Sequence, residues 1–207
     1  MRKTTAILCV FLLAFGIFLF GCVQPAATTS VTESDAKAFV NDDLKAKYPD
    51  AEIREITETT FFEDSYQMKA RVTYNYSTKC PVRLNIYYDY PKKGFVASPP
   101  EYVTRDCTVC KNVAQVSCIL GTPEEAIIAS HSIAGSDAVK GYLVAHPDAK
   151  PDANFYTEYV DKNNTRYRDV WVVKWLSPTT NFGIFALLSQ KSPETLKTWE
   201  VARSEIV

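Results

Sequence analysis

The chain has 207 residues, 46% of them hydrophobic and 23% charged, with 23 Lys and Arg against 24 Asp and Glu. That balance, with no Lys/Arg cluster, argues against a nucleic-acid surface. Only seven glycines occur, none in a Gly-rich run, which argues against a phosphate-cradling loop and nucleotide binding; no cofactor is expected.

In chain order, Arg2 and Lys3 precede an uncharged run from Thr4 past Cys22, whose apolar part is Ala6 to Phe20. At ~1.5 Å per residue this run falls short of the ~30 Å hydrocarbon core of a bilayer. The length suits the core of a signal peptide rather than a membrane span. It ends in Leu19-Phe20-Gly21-Cys22: a branched apolar residue, a loose position, a small residue and a cysteine. The arrangement resembles the lipobox of prokaryotic lipoproteins, bacterial or archaeal, with Phe20 bulkier than the usual occupant. The resemblance implies that residues 1–21 are a lipoprotein signal peptide and that Cys22 carries a diacylglycerol. It would place the remainder on the extracytoplasmic face of the cell membrane, with membrane lipid as its first partner. Two acyl chains at ~0.8 kcal/mol per buried methylene make a firm anchor. An uncleaved N-terminal anchor is the alternative and gives the same location. Residues 22–31, small and uncharged, read as a flexible tether.

Residues 32–106 read as a first α+β module. Thr32, with Asp35 three residues on, opens a helix in a variant of the capping box. Ala36, Phe39, Val40, Leu44 and Tyr48 form one stripe along it, and Pro49 stops it. A strand over Glu52 to Thr60 comes next. Then comes the clearest alternation in the chain, Tyr66, Met68, Ala70, Val72, Tyr74 and Tyr76 on one side with polar residues between. Val82, Leu84, Ile86, Tyr88 and Tyr90 repeat it, and Pro91 to Gly94 supply a turn. A fourth strand from Phe95 is interrupted by Pro99-Pro100 and belongs at an edge. Tyr74, Tyr76, Tyr88 and Tyr90 are candidates to line a binding face, tyrosine combining apolar area with a polar tip; the competing reading is a half-buried sheet face beneath the helix.

Residues 107–135 read as a cysteine-containing connector. Cys80, Cys107, Cys110 and Cys118 are an even set in an exported chain and are read as two disulfides, Cys80 with Cys107 or Cys110 and Cys118 with the other. A zinc site on Cys107, Cys110 and Cys118 with Cys80 or His131, or a redox Cys-x-x-Cys, are the alternatives. Thr122-Pro123-Glu124-Glu125 carries a cap, a proline at the first helical position and a glutamate reaching back. The apolar helix beginning there is expected to pack between the halves.

Residues 136–207 repeat the order. Ser136-Asp137-Ala138 echoes Ser34-Asp35-Ala36, Tyr142-Leu143 echoes Phe39-Val40, and His146-Pro147-Asp148-Ala149 echoes Tyr48-Pro49-Asp50-Ala51. The offset shrinks along the helix, so the second helix is expected to be about one turn shorter. Strands are expected over Asn154 to Val160, Arg166 to Leu176 with Trp171, Val173 and Trp175 on one side, Phe182 to Ser189, and Leu196 to Arg203. The fold class is thus α+β: two similar modules, each one helix on an antiparallel sheet of about four strands. A helix laid across such a meander, with its Tyr48-Pro49-Asp50-Ala51 stop, the Tyr66 to Tyr76 strand, and the second copy's His146 to Ala149 and Trp171 to Trp175, resembles the PepSY and cystatin-like folds. The chain departs from PepSY in lacking an Asp-x-x-Thr-Gly turn and from cystatins in lacking a Gln-x-Val-x-Gly hairpin. The resemblance therefore implies a fold and not peptidase inhibition.

No catalytic constellation stands out. His146 lies at a helix end where a cation is favoured; His131 has Ser130 and Ser132 beside it but no nucleophile elbow. Asp42-Asp43 and Glu124-Glu125 are read as solvated or capping acids on helix surfaces. Asn75-Tyr76-Ser77 and Asn163-Asn164-Thr165 fit the N-glycosylation sequon. The expected function is non-enzymatic binding of a peptide, protein or envelope component, with no metal. The alternatives are a metal- or thiol-dependent enzyme built on the connector, or a structural role in envelope assembly.

Overall fold

The computed structural model describes residues 31–92, 96, 98–109, 118–192 and 194–205; Cys22 with its leader, the tether up to residue 30, and Cys110 lie outside them. The chain divides into two compact units, Met1–Thr32 and Glu33–Val207, and the second carries all the helices and strands described below. Among the described residues no helix is long and apolar enough to cross a membrane.

The unit is an α+β structure of two four-stranded antiparallel sheets. Helix α1 (Glu33–Lys47) precedes β1 (Ile53–Phe62), β2 (Ser65–Tyr74), β3 (Val82–Tyr90) and β4 (Glu101–Thr104), paired in that order. Helices α2 (Pro123–Ser132) and α3 (Asp137–Ala145) precede β5 (Lys150–Val160), β6 (Arg166–Leu176), β7 (Phe182–Ser189) and β8 (Thr195–Ala202), again paired in chain order. In the first module Ala36, Val40 and Leu44 of α1 meet Met68, Ala70 and Val72 of β2 and Leu84, Ile86 and Tyr88 of β3 in one core. These are the residues that the helical stripe and the strand alternation select.

The two helix stops share one hydrogen-bond pattern. The Tyr48 amide donates to the Leu44 carbonyl and the Ala51 amide to the Tyr48 carbonyl, at 3.0 and 3.2 Å. His146 to Tyr142 and Ala149 to His146 repeat this at 2.8 and 3.1 Å. Tyr142 thus occupies the place of Leu44, not of Phe39 as the sequence echo suggests. Helix α3 has nine residues against fifteen in α1, a loss of more than one turn, and it alone does not cover its sheet. The connector helix does so instead. Ala126, Ile127 and Ala129 of α2 join Val139 and Tyr142 of α3 against Trp171, Val173 and Trp175 of β6 and Ile184, Ala186 and Leu188 of β7. A helix expected between the halves is therefore part of the second core.

Cys80 is disulfide-bonded to Cys107, which ties the β2–β3 connection to the segment after β4, and Cys118 is in disulfide form as well. The thiols of Cys80 and Cys107 are consumed in this bond, so the zinc set that used them both is replaced by a cross-link. Closing a loop of this sequence separation, 27 residues, stabilises the fold by about 3.5 kcal/mol in the chain-entropy account.

Candidate functional site

The four tyrosines proposed as a binding face do not share a groove. Tyr88 is buried, and its phenol donates to Asp43 Oδ2 of α1 at 2.9 Å; burial and the neighbouring carboxylate push its pKa up. Tyr90 stacks on Phe39 of α1 with ring centroids 4.8 Å apart. Tyr74 packs against the same core and also lines a shallow depression with Tyr48 and Tyr102. Strand β2 ends at Tyr74 because Asn75 takes φ +55°, a left-handed conformation that asparagine tolerates. Tyr76 consequently leaves the face on which alternation put it. Its ring packs on the second module's core and lies 5.4 Å from the Arg71 guanidinium. Three of the four tyrosines thus serve the packing beneath α1, and the fourth joins the modules.

The joint has a charged centre. Glu124, the second residue of α2, is wholly buried, which overturns its assignment to a solvated helix surface. Its Oε1 accepts from Arg71 Nε at 2.8 Å and from the Thr73 hydroxyl at 2.6 Å; its Oε2 accepts from Arg83 at 3.2 Å. All three donors stand on the open face of the first sheet. Its neighbour Glu125 plays the expected part, accepting from the Gly121 amide and the Thr122 hydroxyl at 3.0 Å each, while Thr122 Oγ1 accepts from the Glu125 amide. One acid of the pair caps the helix and the other clamps the two modules. Such a buried cluster adds little net stability, because desolvation offsets the Coulomb attraction, but it fixes geometry.

His131 lies at the same joint. Its Nε2 is 2.7 Å from the Lys79 carbonyl, and its ring meets Trp175 edge-on at 6.0 Å between centroids. Burial lowers its pKa below the usual imidazole value, with the nearby Lys79 and Lys140 charges adding to that and the hydrogen bond to Lys79 opposing it. The folded state therefore resists protonation. Its contribution to stability is complete above pH about 6.5 and is lost as pH falls from there through the lowered folded value. Melting temperature should drop between pH 7.5 and 5.5, and His131→Asn should flatten that slope; equal slopes for the two proteins would remove His131 as the cause. His146 instead packs against Tyr142 and Phe182, with centroids at 4.6 and 5.9 Å.

The two sequons sit on exposed turns. Asn75 is in the β2–β3 connection, and Asn163 is in the β5–β6 turn, where Asp161 Oδ1 accepts from the Asn163 and Thr165 amides at 2.9 Å each.

The feature that stands apart is the second sheet's face turned away from its helices. On an antiparallel sheet with one face packed, the other is ordinarily polar. Here Val170 and Val172 of β6, Phe185 and Leu187 of β7 and Val201 of β8 form a buried apolar cluster that, among the described residues, contains no helix residue, with Tyr159, Tyr167 and Trp199 packed over it. Trp199 lies 5.5 Å from Phe185 and 6.4 Å from Tyr159 between centroids. Lys174 and Lys197 place their ammonium groups 5.7 and 5.8 Å from the Phe185 and Trp199 rings. Tyr159, Phe185, Trp199 and Val201 with Asp161 and Lys197 line a depression of about 340 Å³. Lys197 is held by Asp161 at 2.7 Å, an ion pair that raises the lysine pKa and lowers that of the carboxyl. The sequence carries the signal for this face. Val170 to Val173 and Ile184 to Leu188 are continuous apolar runs rather than alternating ones, and such runs mark strands buried on both sides.

The fold and this face define a tandem α+β protein whose second sheet carries, on the side away from its helices, a small apolar cluster roofed by the half-buried aromatics Tyr159, Tyr167 and Trp199. No family model matches the chain, and neither a curated protein nor a solved structure does.

Proposed function

We propose that this is a lipid-anchored, extracytoplasmic binding protein whose second sheet holds a peptide, protein or envelope component on the aromatic face turned away from its helices. The observation that carries the reading is the cluster of Val170, Val172, Phe185, Leu187 and Val201 under Tyr159, Tyr167 and Trp199, on a side where the fold itself requires no apolar residue. The accessible part of this face is its half-buried roof of Tyr159, Tyr167 and Trp199, and tryptophan and tyrosine dominate the energetics of interaction sites. The anchor rests on the Leu19 to Cys22 motif, and the tether would lift the folded unit off the bilayer.

The test uses the full chain in its own membrane with a photoreactive residue at Tyr167. A discrete cross-linked species is expected that disappears in Trp199→Ala and Phe185→Ala. The same probe at Val144, an isolated exposed apolar position on α3, should yield none. No product from Tyr167, or the same product from Val144, overturns the assignment. Mass spectrometry of the mature protein should find diacylglyceryl-Cys22; an intact Met1 would refute the lipid anchor while leaving the binding face standing.

A further inference from the structure

The depression of about 340 Å³ on the second sheet joins aromatic walls to a polar rim. Phe185 and Val201 are its buried floor, and the half-buried rings of Tyr159 and Trp199 stand beside them. Such a floor leaves little apolar area for a ligand to cover. What is accessible is ring surface, in a space near the lower end of the ~300–1,000 Å³ of small-ligand sites.

The rim carries charge of both signs in equal number. Lys197 is paired with Asp161 at 2.7 Å and Lys162 with Glu205 at 2.5 Å, so the lining calls for neither a cation nor an anion. Asp161 has no capacity to spare: its Oδ1 accepts from the Asn163 and Thr165 amides and its Oδ2 from Lys197. The outer pair differs. The side chains of Lys162 and Glu205 are 80% and 51% exposed, which leaves further donors on the ammonium and lone pairs on the carboxylate within reach of a ligand. The exposed Asn163 also lines the depression, and its carboxamide has no hydrogen-bond partner among the described residues. Trp199 adds one more free donor. The indole N–H groups of Trp171 and Trp175 donate to the Leu120 carbonyl and the Ser130 hydroxyl at 2.8 and 2.9 Å, whereas that of Trp199 has no acceptor among the described residues.

We infer, resting on the binding face proposed above, that this depression holds one pyranose ring of an uncharged glycan. Its C–H face lies on Trp199 and Tyr159, and its hydroxyls meet the Lys162–Glu205 pair, Asn163 and the free indole N–H. A pyranose carries weakly positive C–H bonds on its faces and hydroxyls around its edge, and the face of an aromatic ring is the negative part of its quadrupole. Each hydroxyl both donates and accepts, which an ion pair and a carboxamide satisfy together and a lone charge does not. An anchoring side chain from a peptide fills a well-packed, desolvated pocket, and the buried Phe185 and Val201 leave no such hole. A ring that stacks fits where a knob does not.

The full chain, made in a host that leaves Asn163 unmodified and held in micelles of a zwitterionic detergent, is titrated with maltotriose, cellotriose and triacetylchitotriose. Trigalacturonate and acetyl-Ala-Leu-Ala-amide are the charged and peptide controls. At least one neutral trisaccharide should shift the Trp199 indole N–H and Asn163 carboxamide resonances saturably, with the indoles of Trp171 and Trp175 unmoved. Trp199→Ala should weaken binding by about 30-fold or more, the threshold of a hot-spot residue, and Asn163→Ala by about 3- to 10-fold, the share of one hydrogen bond. Asn163→Ala alters only an exposed side chain and the mapping uses the unaltered chain, so neither depends on how Trp199→Ala folds. No saturable shift with any neutral trisaccharide, trigalacturonate binding as tightly, shifts with the leucine peptide alone, or unchanged affinity in Asn163→Ala overturns the glycan. A protein cross-linked through Tyr167 in a chain that binds no trisaccharide overturns it too and leaves the binding face standing, whereas the absence of both removes the face as well.

Discussion

Replacing Glu124 with alanine should lower folding stability by about 3–5 kcal/mol, the cost of removing one partner from a buried ionic cluster. Arg83 is only 8% exposed, and after the substitution its remaining side-chain hydrogen-bond partner among the described residues is Asn85 at 3.3 Å, which leaves a buried guanidinium without a bonded carboxylate. Arg71 suffers less, because Glu55 still accepts from it at 2.9 Å. Thr73 loses the acceptor of its hydroxyl. Glu124→Gln keeps the shape and loses the charge, so its effect should fall between wild type and alanine. Combining Glu124→Leu with Arg71→Met and Arg83→Met should recover most of the loss, since apolar packing of similar volume replaces three desolvated charges. Urea unfolding with the disulfides intact measures all four proteins. An alanine variant within about 1 kcal/mol of wild type would show the carboxylate is not the counter-charge of both arginines, because surface positions behave that way.

The contrast between Glu124 and Glu125 shows how far local sequence determines the site. Local chemistry announces α2: Thr122, Pro123 and Glu125 form the start that their types and spacing predict. Nothing local separates one glutamate from the other. Burial of Glu124 depends on Arg71 and Arg83, which are 53 and 41 residues away in sequence, on a sheet face that alternation identifies only as polar. The same limit explains the connector helix. Its apolar composition shows that it must be buried, but its placement over the second sheet follows from the shortness of α3, a tertiary matter. Strands β3, β6 and β7 match their expected bounds because turns delimit them on both sides. Strand β5 begins four residues before expected, at Lys150, where Lys-Pro-Asp carries no strand signal. Pro151 is accommodated there because β5 is an edge strand and one of its sides needs no donor.

The candidate sites divide along the same line. The tyrosine face is legible as a periodic pattern, yet period alone does not say whether a row of tyrosines lies under a helix or faces solvent. The phenol of Tyr88 bonded to Asp43 on α1 settles that for one residue, and the φ of Asn75 removes another from the row. Conversely, the continuous runs at Val170 and Ile184 encode the aromatic face of the second sheet, but Trp171, Val173 and Trp175 already satisfy one packed face. Alternation by itself therefore gives no reason to look for a second.

Trp175→Ala should destabilise the unit by about 3–5 kcal/mol, the range for deleting a large buried aromatic side chain. The residue is fully buried among α2, α3 and β7, where closely packed neighbours relax only partly into the space it leaves. Its indole N–H donates to Ser130 Oγ at 2.9 Å, and that hydroxyl in turn donates to the Ile127 carbonyl at 2.7 Å. The order of these bonds separates two contributions. Trp175→Phe removes the donor but leaves the Ser130 hydroxyl bonded to Ile127, so its cost should be packing alone and smaller than that of alanine. Ser130→Ala leaves the indole N–H buried without an acceptor and should cost about 1–3 kcal/mol. In a Trp175→Phe background Ser130→Ala should cost less, because no orphaned donor remains. Urea unfolding followed by circular dichroism reads the four corners of this cycle without relying on the tryptophan being replaced. Additive costs would mean that the hydrogen bond carries no coupling, and that α2 is held to the second sheet by apolar contact alone.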